Sequence, residues 1–319
     1  MIEISNDVSK AKLLLEKDEI IAIPTETVYG LAGNIYSETA IKKIFSTKKR
    51  PFYNPLIVHI SSINVLQDIA INIPEKALLL AAKFWPGSLT LVLQKNDSIP
   101  DLITAGKNTV AIRVPNHELT LNLLKSLRFP LAAPSANPFG QISPTTAQHV
   151  AEYFSEEIPM VLDGGNCSNG IESTIIGFEN NKAILLRLGS IAIEEIEVVI
   201  GKITIKNQEE NAPLAPGMLS RHYAPKTKTV LVDNILAAIE ENLDKKIGLL
   251  LFKDAVYHEA VLTSEILSEN GDLKTAASNL YAAMHTLDKQ NLEIIIAQRF
   301  PENNLGNSIN DRLQRATKN

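Results

Sequence analysis

Short apolar runs separated by turn-rich connections dominate the first two thirds of the chain. IIAIP, LIVHI, LTLVLQ, TVAIRVP, MVLDGG, STIIGF and AILLRL, rich in Ile, Val and Leu, predict strands. Apolar residues at helical spacing predict helices over 8–17, 38–47, 74–84, 117–127 and 145–154. Turn chemistry punctuates them, with a Pro-Gly step at Pro86 and Gly87 and the proline-rich stretch APSANPFGQISPT. The elements alternate over residues 1–206 without a strict βαβ beat. That pattern predicts an α/β domain built on a twisted mixed sheet rather than a doubly wound one.

Residues 207–225, NQEENAPLAPGMLSRHYAP, break the pattern, and their prolines predict an extended linker. Beyond it a regular beat sets in: strand TVLV, helix NILAAIEENLDKK, strands IGLLLF and YHEAVL, helix DLKTAASNLYAAMHTLD, strand EIIIAQR and helix LGNSINDRLQRAT. Residues 226–319 therefore read as a smaller α/β domain with a largely parallel, Rossmann-like sheet. No GxGxxG follows its first strand, so nothing marks it as a dinucleotide binder.

Length agrees with two domains, because 319 residues exceed the roughly 250–300 at which single cores stop growing. The net charge of −5 argues against a constitutive nucleic-acid binder, although a local basic cleft stays compatible with it. A single cysteine, Cys167, leaves no internal disulfide to form. The N-terminal stretch MIEISNDVSKAKLLLEKDE lacks the apolar core of a signal peptide, and no apolar run approaches the roughly 18 residues of a membrane span. These readings predict a cytoplasmic protein with no membrane partner.

Several chemical motifs fail on inspection. AGKNT at 105–109 lacks the first glycine and the Ser/Thr of a phosphate-binding loop. STKK at 46–49 matches SxxK, but the SDN and KTG partners of that serine nucleophile are missing. Six scattered histidines form no zinc pattern, and Cys167 in GGNCSNG carries no sign of activation. The cations Lys48, Lys49 and Arg50 have an economical explanation, since they end a helix whose dipole they offset before Pro51.

Polar signatures nevertheless stand at the ends of apolar strands, where α/β proteins gather their site residues. They are PTETVYGLAGN (24–34), KKRPFYNPLIVH (48–59), TVAIRVP (109–115), APSANPFGQISPT (133–145), IESTII (171–176), LLRLG (185–189) and SRHYAP (220–225). Each has a bland reading: Thr27 as strand filler, Arg113 as a surface cation, Ser135 and Asn137 as turn formers. Taken in order, with FWPGSLTLVL between them, they resemble the YrdC-like threonylcarbamoyl-AMP synthases in their long, two-domain form. The resemblance covers nearly the whole chain, and its signature is the pairing of Lys48 and Arg50 with Ser135 and Asn137.

What the resemblance implies is a condensation of L-threonine, bicarbonate or CO2, and ATP to threonylcarbamoyl-AMP and pyrophosphate. The product would pass to a transferase complex that modifies the adenosine beside the anticodon in tRNAs reading codons that start with A. Direct tRNA binding would be weak or indirect. The chemistry needs no protein nucleophile, because the substrate amine attacks CO2 and the resulting carbamate attacks the α-phosphate. It needs positioning and positive charge instead. By similarity Lys48, Arg50, Ser135 and Asn137 form the catalytic set, and Thr27, His59, Arg113, Ser135 and Ser173 meet threonine. Lys48, Arg50, Asn54, Thr109, Asn137, Ser143, Arg187 and Tyr223 match positions around ATP, while Mg2+ is expected on the phosphates and no protein metal site is expected. Residues 211–225 are expected to act as a lid.

Two other classes are compatible with parts of the chain. A non-catalytic RNA-binding module is weakened by the negative charge and by aromatics amounting to 5% of residues. A carbamoyl-adenylate enzyme of the hydrogenase-maturation kind would carry zinc-finger and acylphosphatase-like segments, which this sequence lacks.

Overall fold

The computed structural model describes residues 2–207, 215–217 and 223–318. Eleven strands form the larger sheet: β1 (Glu3–Ser5), β2 (Ile21–Ile23), β3 (Gly30–Asn34), β4 (Ile57–His59), β5 (Leu89–Gln94), β6 (Thr109–Arg113), β7 (Leu131–Ala132), β8 (Met160–Leu162), β9 (Thr174–Glu179), β10 (Lys182–Arg187) and β11 (Thr204–Ile205). Their order is β1-β8-β2-β3-β7-β4-β6-β5-β9-β10-β11, with parallel and antiparallel neighbours mixed. The mixed sheet expected from the irregular beat is present.

Register decides where the polar signatures go. β4 and β6 run parallel with His59 opposite Arg113. β5 runs antiparallel to β6 and parallel to β9, so Leu89 and Thr174 sit together near the end of β6. β10 returns antiparallel to β9 and brings Arg187 opposite Ile175. One end of the sheet thus collects residues that are far apart in sequence.

β3 escapes the apolar pattern because GLAGN carries two glycines. Close packing requires one of them: a Cβ on Gly33 would lie 3.2–3.3 Å from Ile20, Ile44 and Ala40. The helix Glu38–Lys48 presses on β3 there, burying Ala40, Ile41, Ile44 and Phe45 in the main core. Ser37 caps its start by accepting the Ala40 N–H at 3.2 Å. Its end differs from a simple cationic last turn. Lys48 is buried, and Lys49 takes the left-handed conformation (φ 52°) that closes the helix. The helix Ile193–Ile200, which the strand-rich pattern did not single out, packs on Glu75–Phe84 through Ile196 and Ile200.

The second sheet is wholly parallel: β12 (Lys228–Val232), β13 (Ile247–Leu251), β14 (Val261–Ile266) and β15 (Ile294–Gln298), in the order β12-β15-β13-β14. The strand expected at YHEAVL lies further along. The His258 ring accepts the Ala260 N–H and its carbonyl the Val261 N–H, so a turn occupies those residues and β14 begins at Val261. Alternation along the strands separates two faces. Leu249, Leu251, Ile294 and Ile296 pack under the helix Ile235–Glu240. Leu250, Ile295 and Ala297 pack under the helices Leu273–Asp288 and Asn304–Ala316. That second layer is shared, because Val28, Ile142, Ile171 and Tyr223 belong to the same apolar cluster. Among the described residues no helix is long and apolar enough to cross a membrane.

Candidate active site

At the gathered end of the large sheet lies a cleft of ≈ 550 Å³, open to solvent at its mouth. Of the residues expected there, Thr27, Arg50, His59, Arg113, Ser135, Ser173, Arg187 and Tyr223 line it. Thr25, Glu172 and Gly217 join them without having been singled out for that role. Lys48, Asn54, Thr109, Asn137 and Ser143 do not line the cleft.

Arg113 is held rigidly. Its Nε–H donates to Gly87 O at 3.1 Å and its Nη1–H to Thr27 Oγ1 at 2.8 Å. Thr27 is in turn fixed by Thr25 Oγ1 at 2.8 Å. Nη2 lies 2.5 Å from Glu26 Oε1, yet no acceptor is aligned with its N–H bonds. Across the β4–β6 pair, His59 is 3% exposed, and burial together with the Arg113 charge lowers its pKa to about 3. The ring is therefore neutral at physiological pH. Its Nδ1–H donates to Ile57 O at 3.3 Å, which leaves Nε2 as a lone pair.

Arg50 and Arg187 form a second cationic group. Arg50 donates from Nε to Asn54 O at 3.2 Å and from Nη2 to Pro55 O at 2.8 Å. Burial, with the Arg187 charge next in importance, lowers its pKa to about 9. Two like charges in a buried place call for an anion between or beside them. Arg187 grips Ser173 O through Nε and Nη2 at 3.0 and 2.8 Å, and Ser173 Oγ at 3.0 Å. Ser173 Oγ also meets Thr90 Oγ1 at 2.7 Å.

Lys48 stands behind this wall, 1% exposed. Its ammonium donates to Ser135 O at 2.5 Å and to Asn137 O. Burial, assisted by Arg50, lowers its pKa well below the usual lysine value. The cation thus fastens the SAN segment to the helix end. Asn137 spends its Nδ2 on Pro138 O and Gln141 O, while its Oδ1 has no protein partner. Asn54, fully buried, has neither side-chain atom partnered. Thr109 begins β6, four residues before Arg113, so the two stand about 13 Å apart along the strand.

Ser143 leads to a network absent from the sequence reading. Its hydroxyl donates to Glu172 Oε1 at 2.6 Å. Tyr281 O–H donates to Glu172 Oε2 at 2.9 Å, and Arg312 donates to the same oxygen from Nε and Nη2 at 3.2 Å each. Both partners come from the helices of the second sheet. The Arg312 guanidinium also lies 5.3 Å from the centre of the Tyr223 ring, and the Tyr223 and Tyr281 rings are 5.8 Å apart. An acid inside the strand-end motif IEST, next to the buried Ile171, was the available signal for Glu172.

Of the expected linker and lid, residues 208–214 and 218–222 lie outside the described residues, His222 among them. The described pieces meet the cleft. Pro216 O accepts from Arg187 Nη1 at 3.2 Å. Gly217 has φ 86°, and a Cβ there would lie 2.7 Å from Arg187 Cδ and from Tyr223 Oη. Cys167 is buried, and burial pushes its thiol pKa up to about 12, so it stays protonated and inert. Among the described residues no group of three or more His, Cys, Asp and Glu side chains could hold a metal ion.

Known proteins resemble the chain over nearly its whole length. Residues 13–189 match the Sua5_yciO_yrdC family, described as telomere recombination, and residues 191–317 match the threonylcarbamoyl-AMP synthase C-terminal domain. Threonylcarbamoyl-AMP synthase of Pyrococcus abyssi is 40% identical, over 95% of this chain and 92% of that one. The Bacillus subtilis enzyme of the same name is 39% identical, over 97% and 92%. The crystal structure of P. abyssi Sua5 complexed with L-threonine superposes with a TM-score of 0.92 at 38% identity, covering 99% of this chain and 97% of that one. A chain that matches both families in succession, and these relatives over nearly their full length, belongs to the threonylcarbamoyl-AMP synthases.

Proposed function

We propose that the protein is an L-threonylcarbamoyladenylate synthase of the nucleotidyltransferase class, condensing L-threonine, bicarbonate or CO2, and ATP. The observation that carries the reading is the pairing, in one cleft, of a buried guanidinium whose Nη2 lacks an aligned acceptor (Arg113) with two further guanidiniums (Arg50 and Arg187). Arg113 suits a carboxylate, and Arg50 suits phosphate oxygens.

Threonine binds with its carboxylate on Arg113 and its polar groups near Thr27, Ser173 and Ser135. The lone pair on His59 Nε2 accepts an N–H of the substrate amine, which a protonated ring, a donor at both nitrogens, could not do. The amine forms a C–N bond to CO2 and releases a proton. A carbamate oxygen then bonds to the α-phosphorus as the bond to pyrophosphate breaks. Arg50 and Arg187 offset the charge that builds up on the leaving group. Lys48 acts indirectly, holding Ser135 and Asn137 through their carbonyls. Asn54, with an unpartnered buried amide, and Thr109 mark where the nucleotide extends beyond the cleft, and Asn137 Oδ1 offers an acceptor.

Mg2+ arrives on the ATP phosphates. The carboxylate among the cleft-lining residues, Glu172, is engaged by Ser143, Tyr281 and Arg312, so it is not offered as a ligand. Residues 1–206 form the catalytic domain, 207–225 the linker that closes over the nucleotide through Tyr223, and 226–319 a second domain bracing that closure. The labile product passes to a tRNA threonylcarbamoyl transferase complex. The contacts of Pro216 with Arg187 and of Tyr223 with Arg312 support the lid reading.

The test is pyrophosphate release from ATP and bicarbonate, with and without L-threonine, on wild type and Arg113→Ala. Threonine-dependent release in the wild type that the variant loses supports the reading. Release indifferent to threonine would refute it.

A further inference from the structure

We propose that Glu26 is a positioning residue for amino-acid binding, fixing the Arg113 guanidinium so that its unengaged N–H groups meet the substrate carboxylate. The inference rests on the reading of Arg113 given above. Glu26 is 5% exposed and does not line the cleft, so it stands behind the guanidinium rather than in front of it.

The carboxylate is anchored independently of Arg113. Asn116 N–H donates to Oε2 at 3.0 Å, and Ser88 O–H donates to Oε1 at 3.3 Å. Asn169 Nδ2 donates to Ser88 Oγ at 2.5 Å, and the Asn169 N–H donates to Glu26 O at 2.7 Å. Segments following β2, β6 and β8, and the one preceding β5, therefore converge on this acid. A buried carboxylate held this firmly is a fixed charge.

The guanidinium meets that charge on its third corner. Nε is tied to Gly87 O and Nη1 to Thr27 Oγ1, while Nη2 sits 2.5 Å from Glu26 Oε1 without an aligned hydrogen bond. Charge attraction holds the corner in place, yet Nη2–H is not consumed by it. The fork is therefore locked in orientation before substrate arrives, with hydrogen-bonding capacity left over. Preorganisation of this kind improves binding by removing the ordering cost rather than by adding contacts.

The test uses Glu26→Gln, which keeps the shape and an acceptor for Asn116 N–H but removes the charge. In the pyrophosphate-release assay the threonine KM is expected to rise about tenfold, in keeping with loss of one partner from a buried charge pair. The ATP KM should stay within about twofold, while the melting temperature falls by several degrees, because Arg113 is left buried without its counter-charge. In an Arg113→Lys background the same substitution should add less than about twofold, since the fork that Glu26 aligns is already gone. Ser88→Ala, which loosens Glu26 without touching Arg113, should raise the threonine KM by a smaller factor, and it serves if Glu26→Gln does not fold. An unchanged threonine KM in Glu26→Gln and Ser88→Ala, while Arg113→Ala loses threonine dependence, overturns the role of Glu26 and leaves the site reading standing. Equal rises in both KM values would overturn it as well, reducing Glu26 to a structural acid. Wild-type release that ignores threonine would overturn both readings together.

Discussion

His59 and His285 are neutral because burial outweighs everything else around them, with pKa values lowered to about 3 and about 4. In the unfolded chain both rings take up protons near the ordinary value of 6.5. Stability contributed by neutral burial is complete above that value and is lost as pH falls toward 4. Each ring adds about 1.4 kcal/mol per pH unit to the slope once the unfolded chain is protonated and the native one is not. Urea unfolding between pH 7 and pH 4.5 is expected to show this loss, and His59→Asn or His285→Asn should each flatten it by one proton. A slope unchanged by both substitutions would contradict neutral burial. At this scale the motifs in the sequence led to Thr27, His59, Arg113 and Ser173, and the fold brings all four to one cleft. The sequence was a poor guide to Glu26 and Glu172. An acid beside Thr or Ser in a strand-end turn reads as solvated, and only the partners, 29 to 140 residues away, reveal it as buried.

Among elements, the helix Glu38–Lys48 shows how one short run serves two ends. Its last turn delivers Lys48 inward to the carbonyls of the SAN segment, and the left-handed Lys49 reverses the chain so that Arg50 enters the cleft. Lys49 is exposed and makes no contribution to the cleft. Its backbone conformation is one that glycine adopts freely and lysine does not. Lys49→Gly is expected to stabilise the protein by about 0.5–1 kcal/mol, because the relief of left-handed strain exceeds the added freedom of the unfolded chain. Thermal unfolding measures this, with pyrophosphate release unchanged. A lowered melting temperature would mean that the lysine cation at the helix end matters more than the backbone. Element types were legible wherever apolar periodicity was strong. Two departures have local causes: β3 owes Gly33 to the approach of Ala40 and Ile44, and the turn at 257–260 owes its shape to the His258 ring.

For the whole molecule, the decisive contact is the one between the two sheets' territories. Arg312 is fully buried and shares Glu172 with Tyr281 and Ser143. Arg312→Ala would leave that acid buried with its main cation gone, which typically costs about 3–5 kcal/mol. Urea unfolding should show a loss of that size. The double variant Glu172→Gln with Arg312→Met should recover much of it, since a neutral pair needs no compensation. Full stability in Arg312→Ala alone would mean that the network carries little energy. A mixed sheet and a second, parallel one were readable from the change of beat along the chain. Their junction was not, because alternation within a helix says which face is apolar and nothing about which distant acid it will meet.

That junction also sets an order of events during synthesis. Glu172 and Arg312 are 140 residues apart. At about 5–20 residues per second, the acid leaves the ribosome on the order of ten seconds before the base that neutralises it. Over that interval the nascent large sheet holds an acid without its cation, and Tyr223 lacks the guanidinium on which it rests. The emerging chain is therefore left with an unfinished cleft until the helix Asn304–Ala316 docks, and a translation product stopped short of residue 312 would carry the cleft-lining side chains without the guanidinium that meets Glu172 and Tyr223.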